Sequence, residues 1–167
     1  MKQLKIELLS REAFADYGDV IEAADWTTHY TINGGNTERY HDLMKIEVDE
    51  QGHPIVSIFR GQARQFPFEI SMMERHPLGS QCFVPMSGRP YLVAVANKGE
   101  MLGVDDIRVF LASAEQGVNY ARGVWHHPLL AIDETSDFLV IDRSGPGNNC
   151  EERFLEHRAI IHTAATI

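Results

Sequence analysis

A chain of 167 residues, 44% hydrophobic and 23% charged, has the size and make-up of one soluble globular domain spanning 1–167. Its 15 basic and 24 acidic residues leave a formal net charge of −9, which repels phosphate backbones and argues against nucleic acid as a partner. No run approaches the roughly 20 apolar residues of a membrane helix. The first ten residues lack a signal-peptide core, and Cys82 and Cys150 form no metal-binding pattern. A cytoplasmic protein with reduced thiols and no membrane partner is expected.

The chain opens on alternating residues, Leu4–Leu8, which read as a strand. Ser10 is placed to cap a short helix that runs through Tyr17 and stops at Gly18, with Ala13, Phe14 and Tyr17 on its buried side. Asp19–Glu22 reads as a brief strand, and Trp26–Thr37 as a loop around the turn signal Asn33-Gly34-Gly35-Asn36. Strand patterns then follow at Glu38–Val48, Ile55–Arg60, Arg64–Ile70, Ser80–Met86, Tyr91–Ala96, Ile107–Ala112, Leu129–Asp133, Phe138–Asp142 and Ala159–His162. Glu151–Glu156 has the composition of a short helix. Many short strands with closely spaced turns predict an all-β single domain, a sandwich or barrel with a few short helices.

Two stretches concentrate chemistry. In Glu74–Gly88 a glutamate, a histidine, a glutamine and a glycine stand at offsets 0, 2, 7 and 14. On extended backbone Glu74 and His76 share a face, Arg75 takes the other, and a turn at His76–Ser80 leads to Gln81. In Gly117–Pro128 a second turn leads through Gly123 to His126 and His127, of which only one can face inward. Two imidazoles, a carboxylate and an amide oxygen can hold a divalent ion or move protons. Two unrelated, locally bonded histidines would fit the same spacing.

Glu74-x-His76-x4-Gln81-x6-Gly88 resembles the first cupin motif, His-x-His-x4-Glu-x6-Gly, and Gly123-x2-His126 resembles the end of the second. The chain as a whole is similar to the ureidoglycolate lyase family, also called ureidoglycolate hydrolase. The likeness is carried by Tyr17-Gly18-Asp19-Val20-Ile21, Glu38-Arg39-Tyr40-His41-Asp42-Leu43, Glu74-Arg75-His76-Pro77-Leu78-Gly79, Glu115–Tyr120, Val124-Trp125-His126-His127-Pro128 and Ile141-Asp142-Arg143. It covers residues from about 4 to 150.

The resemblance implies a cupin-like (RmlC-like jelly-roll) β-barrel, a homodimer, and cleavage of ureidoglycolate to glyoxylate and urea by acid–base retro-addition in allantoin and purine nitrogen breakdown. It selects His126 as the inward histidine and makes Glu74, His76 and His126 the expected catalytic groups. Gln81, Arg60, Arg39, Asn119 and Tyr120 are the expected substrate contacts. It also implies a divalent metal, nickel in the family, held weakly by Glu74, His76, Gln81 and His126. Glutamine for glutamate leaves that set only one negative charge, and a metal-free polar pocket stays open as the alternative. A metal-dependent cupin dioxygenase or isomerase, or a non-catalytic small-acid-binding barrel, would use the same scaffold. Cys82 falls on the face opposite Gln81, which disfavours a covalent thiol mechanism.

Overall fold

The computed structural model describes residues 1–162, and over these the chain is almost wholly β. In chain order the elements are β1 (Lys2–Gln3), β2 (Ile6–Leu8), α1 (Arg11–Phe14), β3 (Gly18–Ile21), β4 (His29–Ile32), β5 (Thr37–Tyr40), β6 (His53–Gly61) and β7 (Phe68–Arg75). They continue with β8 (Gln81–Pro85), β9 (Tyr91–Ala96), β10 (Arg108–Ala112), β11 (Gly117–Tyr120), β12 (Trp125–His126), β13 (Leu130–Ala131), β14 (Ser136–Ser144) and β15 (Glu151–Ile161). Among the described residues a larger sheet runs β1-β15-β7-β12-β9-β10-β2, with β13 also on β9, and a smaller one runs β3-β11-β8-β14-β6. The two sheets curl as a half-barrel, consistent with the barrel expected from the sequence.

Strand β9 shows why the sheets associate. Its six residues, Tyr91 to Ala96, are apolar without alternation, the mark of a strand covered on both faces, and all six are buried. Tyr91, Val93 and Val95 join one core with Phe110, Val118, Tyr120 and Phe138. Leu92, Ala94 and Ala96 join a second core with Ile70, Trp125 and Ile132. Helix α1 seals the first core: Phe14 is fully buried, its ring 5.9 Å from Phe110 and 5.7 Å from Tyr17. Ser10 caps it as expected, its Oγ accepting from Ala13 N at 3.1 Å, but the helix is one turn long and ends at Phe14 rather than Tyr17.

Several sequence expectations give way to pairing. Glu151–Glu156, read as helix, lies in the eleven-residue strand β15, because β7 offers it a partner from Arg75 back to Phe68. The loop expected over Trp26–Thr37 contains β4, which forms a separate two-stranded hairpin with β5 across a 3-10 turn at Asn33–Gly35. Glu38–Val48 is strand only through Tyr40, and beyond it Val48 makes a lone bridge to Gly79. The strand placed at Arg64–Ile70 begins at Phe68 and reaches Arg75, which carries Glu74 onto regular sheet.

The loop after β14 is held by one guanidinium. Arg143, buried, donates to Asp49 Oδ1 at 2.7 Å, Gly145 O at 3.0 Å and Pro146 O at 2.6 Å. Gly79 must be glycine beneath it, since a Cβ there would lie 2.6 Å from Arg143 Cβ. The hydrogen bond from Arg143 holds the Asp49 carboxyl below its ordinary value. A lowered folded-state value means stability present at neutral pH and lost as pH falls through it. Asp49→Asn is therefore expected to lower the melting temperature near neutral pH. The gap to the parent protein should close below about pH 4, the ordinary aspartate range, as followed by circular dichroism.

Candidate active site

The turn at 76–80 does not return the chain into the same sheet. Strand β7 belongs to the larger sheet and β8 to the smaller, so Glu74 and Gln81 face each other across the space between the sheets rather than lying side by side. His126 stands directly opposite Glu74 in the β12–β7 ladder, which puts both side chains on one face. Tyr120 stands opposite Gln81 in the β11–β8 ladder, and its ring lies flat on the His126 ring, centroids 4.2 Å apart at 7°. The turns that carry the two motifs are tied together: Gly123, at φ +81, donates its N–H to His76 O at 2.9 Å.

Four polar ends meet there. Gln81 Oε1 is 3.0 Å from His76 Nε2 and 3.1 Å from His126 Nε2. Glu74 Oε1 is 3.5 Å from His126 Nε2 and 3.8 Å from His76 Nε2. The partners of the other ring nitrogens fix the tautomers. His76 Nδ1 faces Asn149 O at 2.6 Å and His126 Nδ1 faces Val124 O at 3.1 Å. A carbonyl only accepts, so each Nδ1 carries the proton and each Nε2 of a neutral ring presents a bare lone pair. Two imidazole lone pairs, an amide oxygen and a carboxylate oxygen thus point at one another with no donor among them. Such a donor set fits a cation, or an added proton, between them.

Burial, the largest influence, pushes His126 below its ordinary value against the pull of Glu74. Burial also opposes charge on Glu74, but its carboxyl is held below the usual range by the hydrogen bond and the attraction that His126 and the nearby imidazoles offer once they take up a proton. The site therefore holds an ionised Glu74 beside a neutral His126. Cys150 Sγ lies 3.9 Å from Glu74 Oε2, and burial with the neighbouring Glu74 and Glu152 carboxylates raises its thiol, so it is no ready thiolate. Burial pushes the Cys82 thiol up to about 12, against a covalent cysteine mechanism.

A cavity of about 450 Å³ reaches this cluster, lined by Phe59, Gly61, Arg64, Glu74, Gln81 and Leu129 among others. Of the expected substrate contacts, Tyr120 and Gln81 are at the cluster. Asn119 is not: it neighbours Tyr120 on β11 and so takes the other face, where its Nδ2 donates to Asp19 Oδ2 at 3.0 Å and Lys45 O at 2.9 Å. Arg60 is at the rim, but its guanidinium forms a two-pronged pair with Asp137 at 2.7 and 2.9 Å. Arg39 is on the separate hairpin, over the Tyr30 ring at 5.9 Å. Arg75 faces away from Glu74 as alternation requires, stacked 4.6 Å over Trp125. His127 is buried, its Nδ1 donating to Pro128 O at 2.7 Å and its ring edge-on to Phe68 at 5.4 Å; burial pushes it down to about 4.

Two residues escaped the sequence reading. Arg64 lines the cavity over Phe68 at 5.4 Å and, among the described residues, has no carboxylate partner. Asp142 accepts from Gln81 Nε2 at 3.2 Å. The shift of β7 exposed the first; only the β14–β8 register reveals the second.

An all-β half-barrel thus brings imidazole, carboxylate and amide groups together beside a cavity, a donor set of the kind that moves protons or holds a metal in small-molecule sites. The family model described as ureidoglycolate lyase matches residues 1–162. A ureidoglycolate lyase of Burkholderia mallei (strain NCTC 10229) is 57% identical over 156 residues, 93% of this chain and 91% of the relative. Relatives of the same description from Pseudomonas aeruginosa (strain LESB58) and Pseudomonas fluorescens (strain Pf0-1) are 52% and 50% identical, covering 92% and 93% of this chain and 91% and 93% of their own lengths. The chain belongs to the ureidoglycolate lyase family.

The placement of Asn119 is open to measurement. Asn119→Ala leaves Asp19 and the Lys45 carbonyl short of a buried donor, and a loss of about 1–3 kcal/mol in unfolding free energy is expected. The KM of the folded variant should stay near that of the parent; a KM rise without loss of stability would return Asn119 to the substrate.

Proposed function

We propose that this protein is an enzyme, a carbon–nitrogen lyase that splits ureidoglycolate into glyoxylate and urea. The observation that carries the reading is the convergence of His76 Nε2 and His126 Nε2 on Gln81 Oε1 and Glu74 Oε1, the two residues of the cluster that line the cavity, in a chain of this family. The substrate carbon bears a hydroxyl, a carboxylate and a ureido nitrogen. A base takes the hydroxyl proton, the carbon–oxygen double bond forms, and the carbon–nitrogen pair leaves on nitrogen, which an acid protonates to give urea. A bare Nε2 on a ring anchored at Nδ1 suits the first transfer, and the ring that gains the proton can return it to the departing nitrogen. The Tyr120 ring fixes the plane of His126.

Glu74, His76, Gln81 and His126 would hold a divalent ion, which would supply Lewis acidity at the substrate hydroxyl. Arg64, free of an acid partner at the cavity wall, is suited to grip the carboxylate. The reading includes a cytoplasmic setting, supported by two free cysteines, and a role in purine nitrogen breakdown, supported by the nature of the products. It also includes a homodimer. Strand β6 is an unpaired edge of the smaller sheet among the described residues, with Val56 65% and Ile58 53% exposed; a second copy would cover it.

The direct test is purified protein with ureidoglycolate, following glyoxylate and urea with and without a chelator. Turnover is expected, and absence of glyoxylate in both arms sinks the reading. His126→Ala should lose about 10²–10⁴-fold in turnover, while His127→Ala, whose ring packs on Phe68, should lose stability far more than rate. A dead His127 variant beside a working His126 variant would reverse the assignment. Arg64→Gln should raise KM at least tenfold with kcat little changed; an unchanged KM removes Arg64 from the site. Val56→Asp with Ile58→Asp should shift the sedimenting mass from twice 18.9 kDa to the chain mass. A single-chain mass in the unmodified protein rejects the dimer.

A further inference from the structure

Gln81 is turned the costly way round. Beside two bare imidazole nitrogens its amide would gain two hydrogen bonds by presenting its NH2, yet it presents Oε1 at 3.0 and 3.1 Å. What opposes the flip lies behind it. Strands β14 and β8 pair Ile141 with Cys82, which sets Asp142 beside Gln81 on the inner face. Asp142 Oδ2 accepts from Gln81 Nε2 at 3.2 Å. A carboxylate cannot donate, so it demands the NH2 end and sends Oε1 toward the histidines. The other oxygen, Asp142 Oδ1, is buried and has no hydrogen-bond partner among the described residues. With Glu74 it sets two acidic side chains around the paired imidazoles, an arrangement costly to bury without a cation.

We propose that Asp142 is a positioning residue that selects the orientation of the Gln81 amide and, by adding a second negative charge behind it, makes the cluster a divalent-cation site rather than a hydrogen-bonded polar pocket. The inference rests on the reading of Glu74, His76, Gln81 and His126 as the residues that would hold an ion. It also revises the count of a single negative charge made from the sequence. The glutamine in the place of the cupin glutamate borrows its charge from Asp142 through one hydrogen bond, as outer carboxylates support ligands at other metal centres.

Substitution of Asp142 by asparagine keeps the shape but supplies a donor, which frees Gln81 to turn its NH2 toward the imidazoles. The test is calorimetric titration of the full chain with Co²⁺ and Ni²⁺, with the Co²⁺ absorption spectrum recorded and folding checked by circular dichroism. Asp142→Asn is expected to weaken binding by about 10–100-fold and to alter the Co²⁺ spectrum. The double variant Gln81→Glu, Asp142→Asn should regain affinity, because a carboxylate at 81 has no donor end to choose. Parent-like binding by Asp142→Asn overturns the proposal. So does a double variant as weak as the single one, which would mark a general structural loss, and so does a parent protein that binds neither ion. Lyase assays run separately: ion binding that follows this pattern without glyoxylate release would end the lyase reading and leave the role of Asp142 standing.

Discussion

The site depends on one electrostatic constraint: acceptors are forced to face acceptors. Asn149 O and Val124 O fix the protons of His76 and His126 on Nδ1, and Asp142 fixes the amide of Gln81. The ends left over, with Glu74, carry lone pairs into one small space. Each of those fixed groups is in turn held by ordinary structure. Asn149 follows the loop gripped by Arg143, Val124 precedes β12 at the Gly123 turn, and Asp142 lies in the last third of β14. The polarity of the site is thus imposed by backbone carbonyls and strand register, not by the four side chains themselves.

That arrangement explains the division of labour between the two sheets. The larger sheet contributes Glu74 and His126 as a cross-strand pair, and the smaller contributes Gln81, Tyr120 and Asp142. His76 stands in the turn that passes between them. The apolar run of β9 binds the larger sheet to both cores, so the same burial that stabilises the fold sets the spacing of the polar groups.

Much of this was legible in the sequence, for physical reasons. Tyr91–Ala96 is apolar throughout, and its six-residue length between turn signals makes it a buried strand. The offsets of Glu74, His76, Gln81 and His126 follow strand alternation and turn chemistry, and alternation also separated His126 from His127 and Arg75 from Glu74. The same rule separates Asn119 from Tyr120, because neighbours on one strand cannot both face inward. Glu151–Glu156 has helix-forming residues, and only the waiting edge of β7 makes it strand. The β4–β5 hairpin was hidden by short polar strands whose order comes from cross-strand contacts such as His29 to Glu38 at 2.7 Å. Asp142 and Arg64 depend on strand registers and boundaries that residue spacing does not carry.

The crossing of the chain between sheets at 76–80 has a consequence for how the protein acquires its chemistry. Either sheet formed alone would show full β-structure in its own strands yet hold only part of the cluster. Competence arises when the sheets close on each other and not before. Chemical activity is therefore a gauge of sheet closure, and a collapsed species with native strands but loosened halves would be spectroscopically β and chemically silent.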